Sequence, residues 1–189
     1  LQRLAGRALS AHVIDCATRI EARQAVVITG HGADQVEAAL ASLANEQLAL
    51  NFVRQEPQLG TGHAVQQALP ALADDGITLV LSGDVPLTRP ETLQALLQVC
   101  GGEHLALLTL EMADPTGYGR IVRGHADWAG DDIAGAGDAA PVLAIVEQKD
   151  ATEAERQIHE VYSGIMAVPA RQLKKWLERL DNRNAQGEY

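Results

Sequence analysis

Apolar residues recur along this chain in two alternating rhythms. Residues 8–22 carry Leu9, Val13, Ile14, Ala17 and Ile20 at near-helical spacing, which predicts a helix. Residues 25–29 (Ala-Val-Val-Ile-Thr) are a short apolar run of strand length, closed by Gly30-His31-Gly32. A second helix is predicted over about 34–45, with Val36, Leu40 and Leu43 on one face. Residues 48–53 read as a strand, and 60–72 as a helix with a Gly-rich start. Residues 77–81 form the central strand, a continuous apolar run that fits burial on both faces, as in a parallel sheet. Pro90 suits the first turn of a helix over 91–99, and 104–110 is another apolar strand. Strand and helix alternate in short units up to residue 110. That order predicts an α/β fold: a mostly parallel sheet with right-handed crossovers and helices on both faces.

The rhythm then changes. Asp114-Pro-Thr-Gly-Tyr-Gly119 is rich in turn residues, and 120–123 is a short strand. Residues 124–141 are dominated by Gly, Ala and Asp and read as a surface excursion. Strands are predicted over 142–146 and 159–168, with a short charged helix over 151–157 between them. Pro169 opens a last helix with Leu173, Trp176, Leu177 and Leu180 as its apolar face. The expected organisation is one domain, with a first half over 1–110 and a smaller added sheet region over 111–189.

Composition narrows the classes. Hydrophobic residues make up 47% and charged residues 21%, which suits a globular core and argues against disorder. No apolar run approaches the ~20 residues of a membrane span, and the first residues lack a signal-peptide core. The net charge of −10 argues against non-specific nucleic-acid binding, so no nucleic-acid or membrane partner is expected. A phosphorylated ligand would need a bridging cation or locally concentrated basic residues. Cys16 and Cys100 lie in apolar helix-like stretches and are expected to be buried free thiols in a reducing compartment. The chain opens at Leu1 in mid-pattern and stops at Tyr189 without a tapering polar tail, so part of a longer product is expected.

Two stretches stand out chemically. Ser82-Gly83-Asp84 follows the central strand. A carboxylate there enters the crevice where open α/β sheets bind ligands, either as a metal ligand or as a plain turn cap. Gln55-Glu-Pro-Gln-Leu-Gly-Thr-Gly-His-Ala64 joins a strand to a helix. Gly60 and Gly62 permit close approach, and the helix amides with Thr61 offer donors; the alternative is a softened turn with a helix cap. Neither the P-loop nor the dinucleotide spacing is present. His31 and His63 lack a sequence-placed acid or nucleophile partner; His31 reads as a loop residue in preference to a catalytic imidazole, and His63 as structural. The 114–120 stretch is either a plain turn or one whose bare backbone at Gly117 and Gly119 receives a sugar or base, and Glu147 at a strand end either accepts from ligand hydroxyls or is solvated beside Lys149.

Taken in order, Gln-Leu-Gly-Thr-Gly-His-Ala, Gly-Asp-Val-Pro-Leu, Asp-Pro-Thr-Gly-Tyr-Gly-Arg, Val-Glu-Gln-Lys-Asp-Ala-Thr and Asn-Ala-Gln-Gly-Glu-Tyr resemble one family. It is the uridyltransferase domain of the bacterial bifunctional N-acetylglucosamine-1-phosphate uridyltransferase/glucosamine-1-phosphate acetyltransferases (GlmU). The resemblance spans the chain apart from 124–141, which is longer than usual. It implies a Rossmann-like sugar-phosphate nucleotidyltransferase fold, with 1–110 as the nucleotide half and 111–189 as the sugar half. The implied reaction joins UTP and N-acetylglucosamine 1-phosphate to give UDP-N-acetylglucosamine and pyrophosphate. By the same resemblance Gln55, Gly60 and Thr61 contact uracil. Ser82, Gly83 and Asp84 lie along ribose and phosphates, and Asp84 is the catalytic ligand of Mg²⁺. Gly119, Glu147 and Tyr162 contact the sugar; Tyr162 stands where many of the family have Asn.

The family's basic Gly-rich loop, its Leu-Pro-Lys lysine, a second metal-ligating Asn and the β-helix acetyltransferase half have no counterpart in this chain. The resemblance places the full-length protein in the cytoplasm as a homotrimer able also to acetylate glucosamine 1-phosphate. It leaves this chain alone nearly inactive. A non-catalytic nucleotide-sugar binding module, or a nucleotidyltransferase for another sugar or base, are the competing expectations.

Overall fold

The computed structural model describes residues 2–124, 140–183, 187 and 189. They form two compact units. The first comprises Leu1–Ala106, Ile165–Arg183 and Glu188–Tyr189, and the second Leu107–Gly164 and Asn184–Gly187.

The first unit opens with a hairpin that the apolar rhythm does not announce. β1 (Arg3–Leu4) pairs antiparallel with β2 (Arg7–Ala8). Ala5 and Gly6 between them both have positive φ, 49° and 80°, the backbone that a two-residue hairpin turn demands. α1 (Leu9–Arg19), β3 (Gln24–Thr29), α2 (Ala33–Leu40) and β4 (Ala49–Arg54) follow. β3 and β4 pair in parallel from Gln24↔Ala49 to Thr29↔Arg54, as alternating strands and helices predict. Both helices cover one face of this pair. Ala11, Ile14 and Ala17 of α1 meet Leu40 and Leu48, with Val27 and Phe52 packed against them. Leu40 and Leu48 are fully buried, so truncating either to Ala would cost roughly 2–5 kcal/mol.

α3 is shorter than its pattern suggests. It runs Thr61–Gln67 and tightens into a 3₁₀ turn at Leu69–Ala71, where Pro70 cannot continue the helical ladder. β5 (Ile77–Val80) and α4 (Pro90–Cys100) come next. α4 buries Leu93, Leu96 and Cys100, and Gly101 closes it in the left-handed region at φ 53°. The long strand β9 (Glu160–Pro169) lends its last residues to this unit. They pair antiparallel with β5, from Ile77↔Pro169 to Val80↔Met166. α6 (Ala170–Leu177) packs Leu173 and Leu177 with Val168 against Val65, Leu69 and Met166. The central strand therefore differs from the expectation in detail: its residues are half-buried and its described partner runs antiparallel. An apolar run encodes an appetite for burial but not the direction of its neighbour.

The second unit holds β6 (Ala106–Glu111), β7 (Arg120–Arg123), β8 (Val142–Val146), α5 (Glu153–Arg156) and the first half of β9. β7 lies between two antiparallel neighbours. It pairs with β8 through Arg120↔Val146 and Ile121↔Ile145, and with β9 at Arg120↔Val161. β6 also pairs with β9, and the Ser163 hydroxyl donates to the Leu108 carbonyl at 2.6 Å. Arg123 donates to both carboxylate oxygens of Glu160 at 2.7 Å, which holds the Glu160 carboxyl below the usual range. Thr152 and Glu155 form a reciprocal capping box on α5. Most of the excursion, residues 125–139, lies outside the described residues, and so does most of Asn184-Ala-Gln-Gly-Glu-Tyr189. Both cysteines are free and buried, as expected.

Candidate active site

In the first unit the site residues follow strands that start together. Gln24, at the start of β3, donates to the Ala71 carbonyl at 3.2 Å, and Arg23 reaches Asp75 just before β5 at 3.5 Å. The turns after β3, β4 and β5 therefore lie at the opposite end, where ligands collect on open α/β sheets.

Gln55 sits at the end of β4 and is 9% exposed. Its backbone N–H continues the ladder by donating to the Thr29 carbonyl at 2.8 Å. Its side-chain amide nitrogen donates to the Gly60 carbonyl at 2.9 Å and lies 3.0 Å from His63 Nδ1. His63 Nε2 in turn lies 3.0 Å from the Gln67 side-chain amide nitrogen, so the imidazole stands between the amides of two glutamines. His63 is a brace for this turn. Gln55 keeps its amide oxygen as an acceptor.

Gly60 adopts φ 106°, which only glycine takes without strain. Gly62 is needed for a different reason. Its N–H donates to the Tyr189 carbonyl at 2.9 Å, and a Cβ there would stand 2.7 Å from the Tyr189 backbone. One of the helix amides expected to await a ligand is therefore occupied by the chain itself. Thr61, between these glycines, is exposed.

Asp84 lies in the turn after β5 and is exposed, as is Gly83; Ser82 is half-buried. The turn is closed by Val85 N–H donating to the Ser82 carbonyl at 3.3 Å, so the Asp84 carboxylate is not needed to cap it. A Cβ on Gly83 would stand 3.9 Å from Ser10 at the start of α1, so this turn packs on the helix beside it. A cavity of about 170 Å³ adjoins, lined by Arg7, His12, Asp15, Arg19, Pro86 and Thr88. Its basic side chains carry no signal in the sequence because they come from β2 and different turns of α1. Arg7 is committed to Asp15 at 2.5 Å, and its guanidinium holds that carboxyl below its usual range.

A metal at Asp84 can be tested against the donors present. Among the described residues no three His, Cys, Asp or Glu side chains gather to hold an ion. Mg²⁺ does not ask for that. It binds through one or two carboxylates, with waters and substrate phosphates completing the octahedron, and an exposed, uncommitted carboxylate at a strand end fits that role.

In the second unit, register assembles the other predicted residues. Stepping one residue outward from Arg120↔Val146 and Arg120↔Val161 sets Gly119 opposite both Glu147 and Tyr162. Tyr162 N–H donates to the Gly119 carbonyl at 2.9 Å. Directly opposed residues share a face, so Tyr162, Gly119 and Glu147 form one row with a gap where Gly119 lacks a side chain. The Glu147 carboxylate leans over that gap, 3.1 Å from where a Gly119 Cβ would sit. The Tyr162 hydroxyl is buried without a hydrogen-bond partner among the described residues, and burial pushes its pKa up to about 12. Arg120, next to Gly119, is 1% exposed, and its Nε likewise lacks a partner among those residues.

A family model described as a MobA-like NTP transferase domain matches residues 1–120. The chain belongs to the MobA-like NTP transferase family. The match takes in every first-unit turn described above. Curated relatives named "Bifunctional protein GlmU" align with the whole chain: 69% identical in Polaromonas naphthalenivorans, 61% in Albidiferax ferrireducens and 49% in Herminiimonas arsenicoxydans. The chain spans 38% of the length of each of these relatives. Among solved structures, UDP-glucose pyrophosphorylase complexed with UDP-glucose superposes with a TM-score of 0.70 at 16% identity, over 94% of this chain and 70% of that one. The NTP transferase fold, a Rossmann-like α/β unit with an added antiparallel region, is thereby established for this chain.

Proposed function

We propose that this chain carries the uridylyl-transfer activity of a GlmU-type enzyme. A phosphate oxygen of N-acetylglucosamine 1-phosphate attacks the α-phosphorus of UTP. The new P–O bond forms as the bond to the β-phosphate bridge breaks, and UDP-N-acetylglucosamine and pyrophosphate result. No protein nucleophile is needed; positioning and charge compensation suffice. What supports the reading most is the 69% identity to a GlmU over the whole chain.

The residues take roles suited to their surroundings. Gln55 offers its amide oxygen to the uracil N–H, held rigid by Gly60 and His63. Thr61 and the Gly60 backbone flank the base. Ser82 and Gly83 run along ribose and phosphate. Asp84 holds Mg²⁺, which when bound neutralises phosphate charge. Glu147 accepts from sugar hydroxyls above the bare Gly119, with Tyr162 beside it. In the full-length protein, an acetyltransferase half, homotrimeric assembly and a cytoplasmic site belong to the same proposal. Among the described residues no helix is long and apolar enough to cross a membrane.

The test is pyrophosphate release by full-length protein with Mg²⁺, using UTP, CTP and dTTP against N-acetylglucosamine 1-phosphate and glucose 1-phosphate. Preference for UTP and the N-acetylated sugar is expected. Preference for glucose 1-phosphate would favour a UDP-glucose type enzyme. Binding of UDP-N-acetylglucosamine without any turnover would make this a binding module.

A further inference from the structure

The ladder between β7 and β8 ends at Arg120↔Val146. Gly119 and Glu147, the pair that would face the sugar, lie one step beyond its last rung. A side-chain link takes over there. Gln148 Oε1 accepts from Arg120 Nη2 at 2.6 Å and from the Gly117 N–H at 3.3 Å. Arg120 Nη1 donates in turn to the Tyr118 carbonyl. One amide oxygen therefore ties the residues on both sides of Gly119 to the residue after Glu147.

The guanidinium in this link is unusual. Arg120 is 1% exposed, yet its described partners are a neutral amide and a backbone carbonyl. A buried cation with no carboxylate hydrogen-bonded to it is costly, so its few acceptors are held tightly; the Asp114 carboxylate feels its charge but is not one of those acceptors. The turn after Gln148 depends on the same place, because Asp150 and Ala151 N–H both donate to the Glu147 carbonyl, at 3.0 and 2.9 Å.

We infer that Gln148 is a positioning residue for sugar recognition: through buried Arg120 and Gly117 it fixes the Glu147 carboxylate over the bare Gly119. It touches no reacting atom. The inference rests on the proposed function for its ligand but on the described contacts for its geometry.

The experiment compares Gln148→Leu, which keeps the bulk and loses the acceptor, with Gln148→Glu, which keeps the acceptor, in full-length protein. In Gln148→Leu the KM for N-acetylglucosamine 1-phosphate is expected to rise about tenfold, as for lost positioning contacts elsewhere, while kcat and the KM for UTP stay within about twofold. Gln148→Glu is expected to restore the sugar KM. Hydrogen exchange at the Gly117 and Asp150 amides should quicken in Gln148→Leu only. A wild-type protein that makes no UDP-N-acetylglucosamine overturns the functional reading. Normal turnover with a sugar KM indifferent to Gln148→Leu, or with both KM values raised together, overturns this inference alone. Unchanged exchange at those two amides overturns it even without turnover.

Discussion

At the end of β4, the Gln55 amide commits both of its hydrogens inside the protein, to the Gly60 carbonyl and to His63. Around Gly119, the Tyr162 hydroxyl and Arg120 Nε commit none to any described residue. The first arrangement is a turn finished by its own hydrogen bonds, ready to present one acceptor. The second is a row set by strand register, with polar atoms left over. Each unmet buried group costs about 1–3 kcal/mol, so the second region is the less relaxed of the two without ligand. Under the proposed function, rigid recognition of a flat base suits the first and adaptation to a sugar with several hydroxyls suits the second.

Asp84→Asn should have the largest effect. Turnover of full-length protein should fall about a hundredfold or more, since several kcal/mol of charge stabilisation is lost. Its melting temperature should hold, because Asp84 is exposed and caps nothing. Unchanged turnover would remove the metal role. Gln55→Leu comes next. Two internal hydrogen bonds vanish, and the Gly60 carbonyl and His63 lose a donor, so denaturant unfolding should show a loss of about 1–3 kcal/mol with a raised KM for UTP. If UTP binding suffers without a stability loss, the turn is not self-supporting and the contrast fails.

Tyr162→Phe probes the other side. Removing an unpartnered hydroxyl should leave the ligand-free protein as stable or more stable, by up to about 1 kcal/mol. A clear loss of stability would mean that the hydroxyl already has a partner. The smallest effect concerns pH. Arg123 holds Glu160 below the ordinary carboxyl range, so the pair's stability is present above the unfolded glutamate pKa of about 4.3 and is lost as pH falls through the lower folded value. Glu160→Gln should flatten that acid limb in unfolding curves, and an unaltered limb would locate the acid sensitivity elsewhere.

The legible part of this molecule is local. Periodicity places β3, β4, β7 and β8 to within a residue, and α1 to within three at its end, because each buries a face that recurs at the spacing of its own backbone. Turn chemistry singles out Gly60, Asp84 and Gly119 in the same local way: glycine at a strand end supplies backbone freedom, and aspartate there supplies a charge. What stays hidden is which residues meet, near or far in sequence. Nothing in the run 77–81 says that its neighbour is 166–169 running the other way. The hairpin at Ala5 and Gly6 is too short to carry a period. The row of Tyr162, Gly119 and Glu147 exists only once two registers are known. His63 is an isolated imidazole in the sequence, and only the fold sets Gln55 and Gln67 on either side of it.

The close contact at Gly62 has a bearing on how the protein is made. Tyr189 N–H donates to the Leu59 carbonyl at 2.8 Å and its carbonyl accepts from Gly62, while its ring centroid lies 6.0 Å from that of His63. The 59–62 turn therefore draws on residues far apart in synthesis. Contacts of such long sequence separation form late, since a long stretch of chain must be closed before they reward it. On the ribosome, β3, β4 and their helices can assemble early, but the 59–62 turn must wait for residue 189 to emerge before it reaches its final form.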